Sequence, residues 1–154
     1  ATDIVEADDR VLKVRRNCLE STRVFSKVAT SEDLVVPVTK IADCIQTLVK
    51  ESKNYDFRVF CLAHAGDGNL HFQILKCDMS DEDWEKQLKE FRAKAYKYVY
   101  GLGGRLSGEH GIGLKRLKYM EAYTDPAELD LMKTIKRAVD PKWILNPGKV
   151  IEEN

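Results

Sequence analysis

Two spacings of apolar residues alternate along the chain and predict its secondary structure. Apolar residues that recur every three or four positions predict amphipathic helices, and short β-branched or aromatic runs predict strands. The predicted helices cover about residues 6–26, 41–49, 80–101, 115–121 and 125–139, and the predicted strands cover residues 32–38, 58–63 and 70–75. This mixture predicts an α+β fold with sheet and helices in one pair of layers.

Turn and capping residues mark the boundaries of several of these elements. The sequence Gly66-Asp-Gly-Asn69 separates the second and third strands and predicts a β-hairpin. Ser80 precedes three acidic residues, which is typical of a helix N-cap and a negatively charged first turn. Pro126 suits the first turn of the last helix, and residues 140–148 form a proline-bounded tail. We expect residues 1–154 to form a single domain.

The composition narrows the class of protein. A chain of 154 residues with 44% hydrophobic residues can close one hydrophobic core. Lys and Arg together number 25, as do Asp and Glu, so the chain has no net positive charge that would attract nucleic acid or anionic lipid. We therefore predict no nucleic-acid partner.

Cysteine usage and the N-terminus bear on the location of the protein. The four cysteines are scattered without metal-binding or redox spacing, which favours reduced thiols and a cytoplasmic protein. No apolar run approaches the ~20 residues of a membrane span, so any membrane association is expected to be peripheral and through partners. Because the first residue is not Met, we expect a processed chain or a fragment of a longer protein.

All three histidines lie in two glycine-rich segments, residues 64–71 and 107–113. On a helix, seven positions would separate His64 from His71 by about 10 Å, too far for one metal ion. In a hairpin whose loop is residues 66–69, His64 faces His71 with the Cβ atoms about 5 Å apart. Both imidazoles could then approach one ion to about 2.0–2.1 Å. Gln73 would point to the same face and is a second-rank candidate for the site.

A third ligand can come from the second segment, where Glu109 is flanked by glycines that permit close approach of the backbone. Two histidines and one glutamate leave a coordination position open for substrate, which is typical of catalytic sites. His110 would remain as a free imidazole that can act as a general base. Other interpretations stay open: the histidines also fit an ordinary hairpin pair, and Glu109 a surface acid. Nearby basic residues fit solvated charges at helix ends: Arg105, Lys115 and Arg116.

Together with the tail Asp140-Pro-Lys-Trp-Ile-Leu-Asn-Pro-Gly-Lys149, these two motifs closely resemble a known family. The family is the C-terminal domain of FAD-linked oxidases, which include D-lactate dehydrogenase, the glycolate oxidase flavoprotein subunit and D-2-hydroxyglutarate dehydrogenase. The resemblance runs from about residue 32 to 150. It implies a ferredoxin-like antiparallel sheet with packed helices, a C-terminal helical segment, and a separate FAD-binding domain of the same protein.

The resemblance also implies roles for individual residues. His64, His71 and Glu109 match residues that hold a divalent metal, commonly zinc, and His110 matches the base that takes the proton of the substrate hydroxyl. Asn146 matches a residue that lies near the flavin, and Arg15 matches an arginine that binds the substrate carboxylate. Some relatives carry a substrate-binding lysine where this chain has Thr30-Ser31-Glu32, so a monocarboxylate such as lactate or glycolate is the preferred substrate.

The implied activity is oxidation of a 2-hydroxy acid, with hydride passing from C2 to FAD and onward to an electron-transfer flavoprotein, a quinone or an iron–sulfur subunit. The isolated chain is expected to be inactive and to self-associate through exposed apolar surface. Two alternative functions predict different observations. A non-catalytic docking module of the same fold would associate without dependence on metal. A metallohydrolase with two histidines and one glutamate would hydrolyse esters or amides by itself.

Overall fold

A computed structural model describes residues 9–152, and four side chains of the first helix lie outside that description: Arg10, Val11, Arg15 and Leu19. The elements in chain order are α1 (Asp9–Thr22), β1 (Ala29–Val35), α2 (Ile41–Ser52), β2 (Arg58–His64), β3 (Asn69–Leu75), α3 (Asp81–Gly101), α4 (Leu117–Tyr123) and α5 (Pro126–Val139). The predicted helices and strands are all present, and the α+β class is confirmed.

The three strands form one antiparallel sheet in the order β1-β3-β2. After α3 the chain returns to the free edge of β1, where Val35 and Arg105 exchange backbone hydrogen bonds of 3.1 and 2.9 Å. This bridge occupies the place of a fourth strand. The succession β-α-β-β-α with a returning edge segment is the ferredoxin-like arrangement that the family resemblance implies.

One face of the sheet packs against α2 and α3 and forms the hydrophobic core. Strand residues alternate between faces, and Leu70, Phe72 and Ile74 of the central strand are fully buried on this side. The helices contribute further buried apolar residues: Cys44, Leu48, Trp84, Leu88, Phe91, Ala95 and Val99. The opposite face, called the site face below, carries Ser31, Asp33, Phe60, Leu62, His64, His71 and Gln73.

Some boundaries differ from the sequence-based expectation for identifiable reasons. Strand β1 runs over Ala29–Val35, not residues 32–38, because Pro37 has no N–H for a ladder and a 3-10 turn follows at Val38–Lys40. Helix α3 begins as predicted, since the Ser80 hydroxyl accepts a 3.0 Å hydrogen bond from the N–H of Asp83.

The C-terminal helices pack less deeply than the sheet. Helix α5 starts after Asp125, whose carboxylate accepts a 2.8 Å hydrogen bond from the N–H of Ala127, and it has no buried residue. Its exposed apolar side chains continue into the tail and comprise Leu131, Ile135, Val139, Ile144 and Leu145. None of the described helices combines the length and apolar character needed to cross a membrane.

Candidate metal and catalytic centre

The hairpin brings His64 and His71 together, although in a different register from the one predicted. His64 pairs with Asn69, and His71 pairs with Leu62, so the predicted facing pair of His64 and His71 is wrong. The shift is two residues, which leaves both histidines on the site face because side chains alternate with period two. They are diagonal neighbours, and their ring centroids are 5.2 Å apart in an edge-to-face arrangement.

Glu109 completes a cluster that contains all three histidines. Its Oε1 lies 3.0 Å from Nε2 of His71, 3.6 Å from Nε2 of His64 and 3.7 Å from Nε2 of His110. The His110 ring is stacked on the His71 ring, with centroids 4.9 Å apart and an interplanar angle of 17°. The structure therefore brings together four of the residues predicted for the site, on segments separated by almost forty positions.

The ligand atoms of His64, His71 and Glu109 are spaced as one divalent cation requires. They all lie within 4.8 Å of one another. Two ligands at about 2.1 Å from a tetrahedral zinc ion are roughly 3.4 Å apart, and the two histidine–glutamate distances, 3.0 and 3.6 Å, bracket that value. Two imidazole nitrogens and one carboxylate oxygen are also a donor set that zinc accepts. The residues fit the metal.

A second group, Asp33, His71 and His110, also has ligand atoms within 4.8 Å of one another. Its carboxylate belongs to a residue with no exposed surface, whereas the side chains of Glu109 and His64 are 53% and 39% exposed. An ion held by His64, His71 and Glu109 therefore has the open side that a substrate needs. We assign the candidate metal site to that set.

Asp33 fixes the loop that carries Glu109 and His110. One of its carboxylate oxygens, Oδ2, accepts four hydrogen bonds of 2.8–3.0 Å: from the Ser107 hydroxyl and from the backbone N–H groups of Gly108, Glu109 and His110. Burial alone would raise the pKa of Asp33, but these donors outweigh burial and hold the pKa below its ordinary value. The loop is therefore fastened to the middle of β1 through an ionised side chain.

Glu32, the preceding residue, points into the opposite layer and collects positive charge. Its carboxylate is 1% exposed and lies 2.8 Å from Nη2 of Arg92 and 3.0 Å from Nζ of Lys115. The hydroxyl of Tyr96 donates a hydrogen bond to it. Burial by itself would raise the pKa of Glu32, but the two cations and the hydrogen bond outweigh burial and lower it. Glu32 is ionised in the folded protein.

Arg116 joins this buried network to the far end of the same loop. Its Nε lies 3.6 Å from the Glu32 carboxylate, and its Nη1 donates a 3.0 Å hydrogen bond to the carbonyl of Gly111. Two consecutive acids of β1 thus hold both ends of the loop: Asp33 holds its start and Glu32 its end. This explains why a glycine-rich segment with little secondary structure presents Glu109 in a defined position.

Close packing against the sheet favours glycine at two positions. A Cβ on Gly108 would lie 2.5 Å from Oδ1 of Asn69, and a Cβ on Gly104 would lie 2.3 Å from the carbonyl oxygen of Val35. Both separations are shorter than real Cβ contacts allow. A side chain at residue 104 would meet the backbone of β1, and one at residue 108 would force the Asn69 side chain to move, so both glycines let this segment lie close to the sheet.

The other predicted site residues lie elsewhere. Gln73 is half-buried on the site face, two positions along β3 from His71. Asn146 is exposed in the tail with a backbone φ of 49°, and within residues 9–152 no hydrogen bond or ion pair links it to the histidine cluster. The predicted carboxylate-binding side chain, Arg15, lies outside the described residues, so its role stays a prediction.

Sequence reasoning missed Asp33 and Glu32, and it misjudged the charges that follow the loop. Lys115 and Arg116 were expected to be solvated, but both pair with Glu32, and Arg116 is only 4% exposed. Arg105 is the exposed residue that was expected, with an ion pair of 3.4 Å to Glu128. A usable signal was present: two adjacent acids inside a strand must face opposite layers, and an acid in a core needs cations nearby.

The chain is similar to known proteins over most of its length. A family model described as FAD linked oxidases, C-terminal domain, matches residues 1–150. The D-lactate dehydrogenase of Anaerostipes hadrus is 37% identical to the chain, and the match covers 97% of the chain and 33% of that enzyme. The D-lactate dehydrogenase of Archaeoglobus fulgidus is 40% identical, and the match covers 94% of the chain and 31% of that enzyme. Glycolate oxidase subunit GlcD of Bacillus subtilis is 32% identical over 92% of the chain and 30% of its own length. The chain spans about a third of these relatives.

Proposed function

The chain belongs to the family of C-terminal domains of FAD-linked oxidases, and from that membership we propose that it is the metal- and substrate-binding domain of a flavin-dependent 2-hydroxy acid dehydrogenase of the D-lactate or glycolate type. One observation carries the proposal: Glu109 Oε1 lies within 3.7 Å of a ring nitrogen of each histidine. That convergence supplies both a place for a cation and a free base beside it.

Each residue of the cluster has a separate task in this proposal. His64, His71 and Glu109 hold a divalent cation, which is expected to be zinc. When bound, the cation would lower the pKa of the substrate hydroxyl, and FAD held by a separate domain would accept the hydride from C2. His110 takes the hydroxyl proton at its imidazole, and stacking on His71 keeps the ring beside the cation-binding nitrogens.

The residues of β1 that face the site support a substrate with one carboxylate. Ser31 and Asp33 are the site-face residues next to Gln73 and His71, and neither side chain is cationic. Glu32 points away from the site face into the buried network, where it forms ion pairs with Arg92 and Lys115. A dicarboxylate would therefore find no free cation on β1, which favours lactate or glycolate. Gln73 would donate its amide to the substrate, and Asn146 remains the proposed neighbour of the flavin.

We propose that residues 1–154 act as one domain that covers an FAD-binding domain of the same protein. The exposed apolar side chains of α5 and the tail are surface that such a domain would cover. Electrons would leave through a flavoprotein, quinone or iron–sulfur partner. All four cysteines are free, which supports a reducing, cytoplasmic compartment.

The test uses the full-length polypeptide that contains this chain, with FAD bound. Anaerobic addition of D-lactate or glycolate should bleach the flavin absorbance, and His110→Ala should slow bleaching by roughly 10²–10⁴-fold. Gln46→Ala, at an exposed position of α2, is the matched control and should bleach at the wild-type rate. Absence of bleaching with either acid would contradict the proposal. Ester or amide hydrolysis by the 154-residue chain alone would favour the metallohydrolase alternative.

A further inference from the structure

Asp33 has a second carboxylate oxygen whose surroundings differ from those of the first. Oδ2 accepts the four hydrogen bonds of the loop, but Oδ1 is buried and has no hydrogen-bond partner among the described residues. Nδ1 of His71 is also buried without such a partner, and it lies 3.6 Å from Oδ1. Two unpartnered buried polar atoms that face each other need an explanation, because each alone is costly.

The chemistry of the two atoms defines how they can satisfy each other. An ionised carboxylate can only accept hydrogen bonds, and the four donors that converge on Oδ2 of Asp33 favour this ionised form. His71 must therefore carry its proton on Nδ1 to complement Oδ1. The present 3.6 Å is too long for a formed hydrogen bond, and a shift of roughly half an ångström closes it.

The proton on Nδ1 determines what the other ring nitrogen can do. With Nδ1 protonated, Nε2 of the neutral ring has a lone pair, and this lone pair faces Oε1 of Glu109 at 3.0 Å. Two acceptors at this distance repel each other unless a metal ion or a second proton lies between them. A carboxylate behind a metal-binding histidine is a common device that fixes the tautomer and raises ligand basicity.

We propose that Asp33 is a positioning residue with two simultaneous contacts: it fixes His71 in the Nδ1–H form, and it sets the backbone of Glu109 and His110 relative to that ring. One carboxylate thereby aligns two metal ligands and the base. The part that concerns the cation rests on the proposed function, whereas the part that concerns the His71 tautomer does not.

The test compares Asp33→Asn with Ser107→Ala in the full chain. The amide introduced by Asp33→Asn can keep its carbonyl oxygen toward the loop, but it then presents an NH₂ group to His71, which favours the Nε2–H tautomer. Ser107→Ala removes one loop donor and leaves Asp33 beside His71, so it controls for loosening of the loop. The readouts are two-bond ¹H–¹⁵N correlations of the His71 ring without metal, zinc affinity by calorimetry, and thermal unfolding.

The expected result is a wild-type His71 with its proton on Nδ1 and an Asp33→Asn variant with its proton on Nε2. Zinc affinity should fall roughly 10–100-fold in Asp33→Asn and less than about threefold in Ser107→Ala. A neutral wild-type His71 with its proton on Nε2 and none on Nδ1 would overturn the inference without any substitution, even if the variant failed to fold. Equal zinc affinity of wild type and Asp33→Asn would overturn it too. If the wild-type chain bound no zinc, the proposed function would fail while the tautomer measurement would still decide the role of Asp33.

Discussion

Replacement of Glu32 by Gln tests whether the buried charge network holds the molecule together. The side chain is 1% exposed and faces Arg92 at 2.8 Å, Lys115 at 3.0 Å and Arg116 at 3.6 Å. Gln has nearly the same shape, but it has no charge, and its NH₂ group places donors where cations need an acceptor. The substitution would leave three basic side chains without their anion.

The size of the effect follows from the burial of those partners. The side chains of Arg92 and Arg116 are 12% and 5% exposed, so water compensates them poorly, whereas Lys115 at 35% can turn toward solvent. Breaking a buried ion pair by removal of one partner costs about 3–5 kcal/mol. A domain of this size loses about 2–4 °C of melting temperature per kcal/mol, so a decrease of about 6–20 °C is expected.

Thermal and urea unfolding of both proteins, followed by circular dichroism over a pH series, measure this effect. Because the pKa of Glu32 is lowered by folding, its stabilisation is present above the unfolded pKa of about 4.3 and is lost as pH falls through the folded pKa. The difference between wild type and Glu32→Gln should therefore shrink at acid pH. Glu90→Gln, in an exposed pair with Lys94, is the control and should cost less than about 1 kcal/mol. A Glu32→Gln variant within about 1 kcal/mol of wild type at neutral pH would refute this reasoning.

Three further predictions concern a glycine of the loop, a helix cap and two buried cysteines. Gly108→Ala should push the loop away from β3, because its Cβ would meet Oδ1 of Asn69 at 2.5 Å, and it should weaken zinc binding at least tenfold in calorimetry. The control, Gly66→Ala, has open space around its Cβ and should bind zinc as wild type does. Wild-type affinity in Gly108→Ala would contradict the close approach. Ser80→Ala removes the cap of α3 and should lower the free energy of unfolding by about 1 kcal/mol, measured in urea, and an unchanged value would count against the cap. Burial raises the pKa of Cys44 to about 11 and that of Cys61 to about 12. Neither thiol should therefore be alkylated by iodoacetamide in the native chain at neutral pH. Rapid labelling of either cysteine, seen by mass spectrometry, would show that these thiols are not protected by burial.

The elements and the cluster were predictable from the sequence because their signals are local. The Gly66–Asn69 turn identifies the hairpin, and spacing along β3 places His71 and Gln73 on one face whatever the partner strand does. The register was mispredicted because the position of the loop decides it: the loop is residues 65–68 and not 66–69, and a four-residue loop that begins one residue earlier moves every pair by two positions. The prediction that His64 and His71 share one face of the sheet was still correct, because a shift of two positions keeps both side chains on the same face.

The support of the site was not predictable from local patterns. Asp33 and Glu32 act on residues more than seventy positions away, and the return of the chain to the free edge of β1, at the Val35–Arg105 bridge, brings the loop beside them. In the sequence, they look like polar residues at the start of a strand, and Lys115 and Arg116 look like charges before a helix. Their partners become visible only when the tertiary arrangement shows which side chains are withdrawn from water.

The most direct test of the central claim is the stoichiometry and affinity of zinc binding to the chain by isothermal titration calorimetry. If two remote segments form one cation site, wild type should bind one zinc ion per chain, and His64→Ala and Glu109→Ala should each weaken binding at least tenfold. Glu121→Gln, an exposed acid of α4, should leave binding unchanged. Wild-type affinity in the Glu109→Ala variant, or no binding by wild type, would contradict the account.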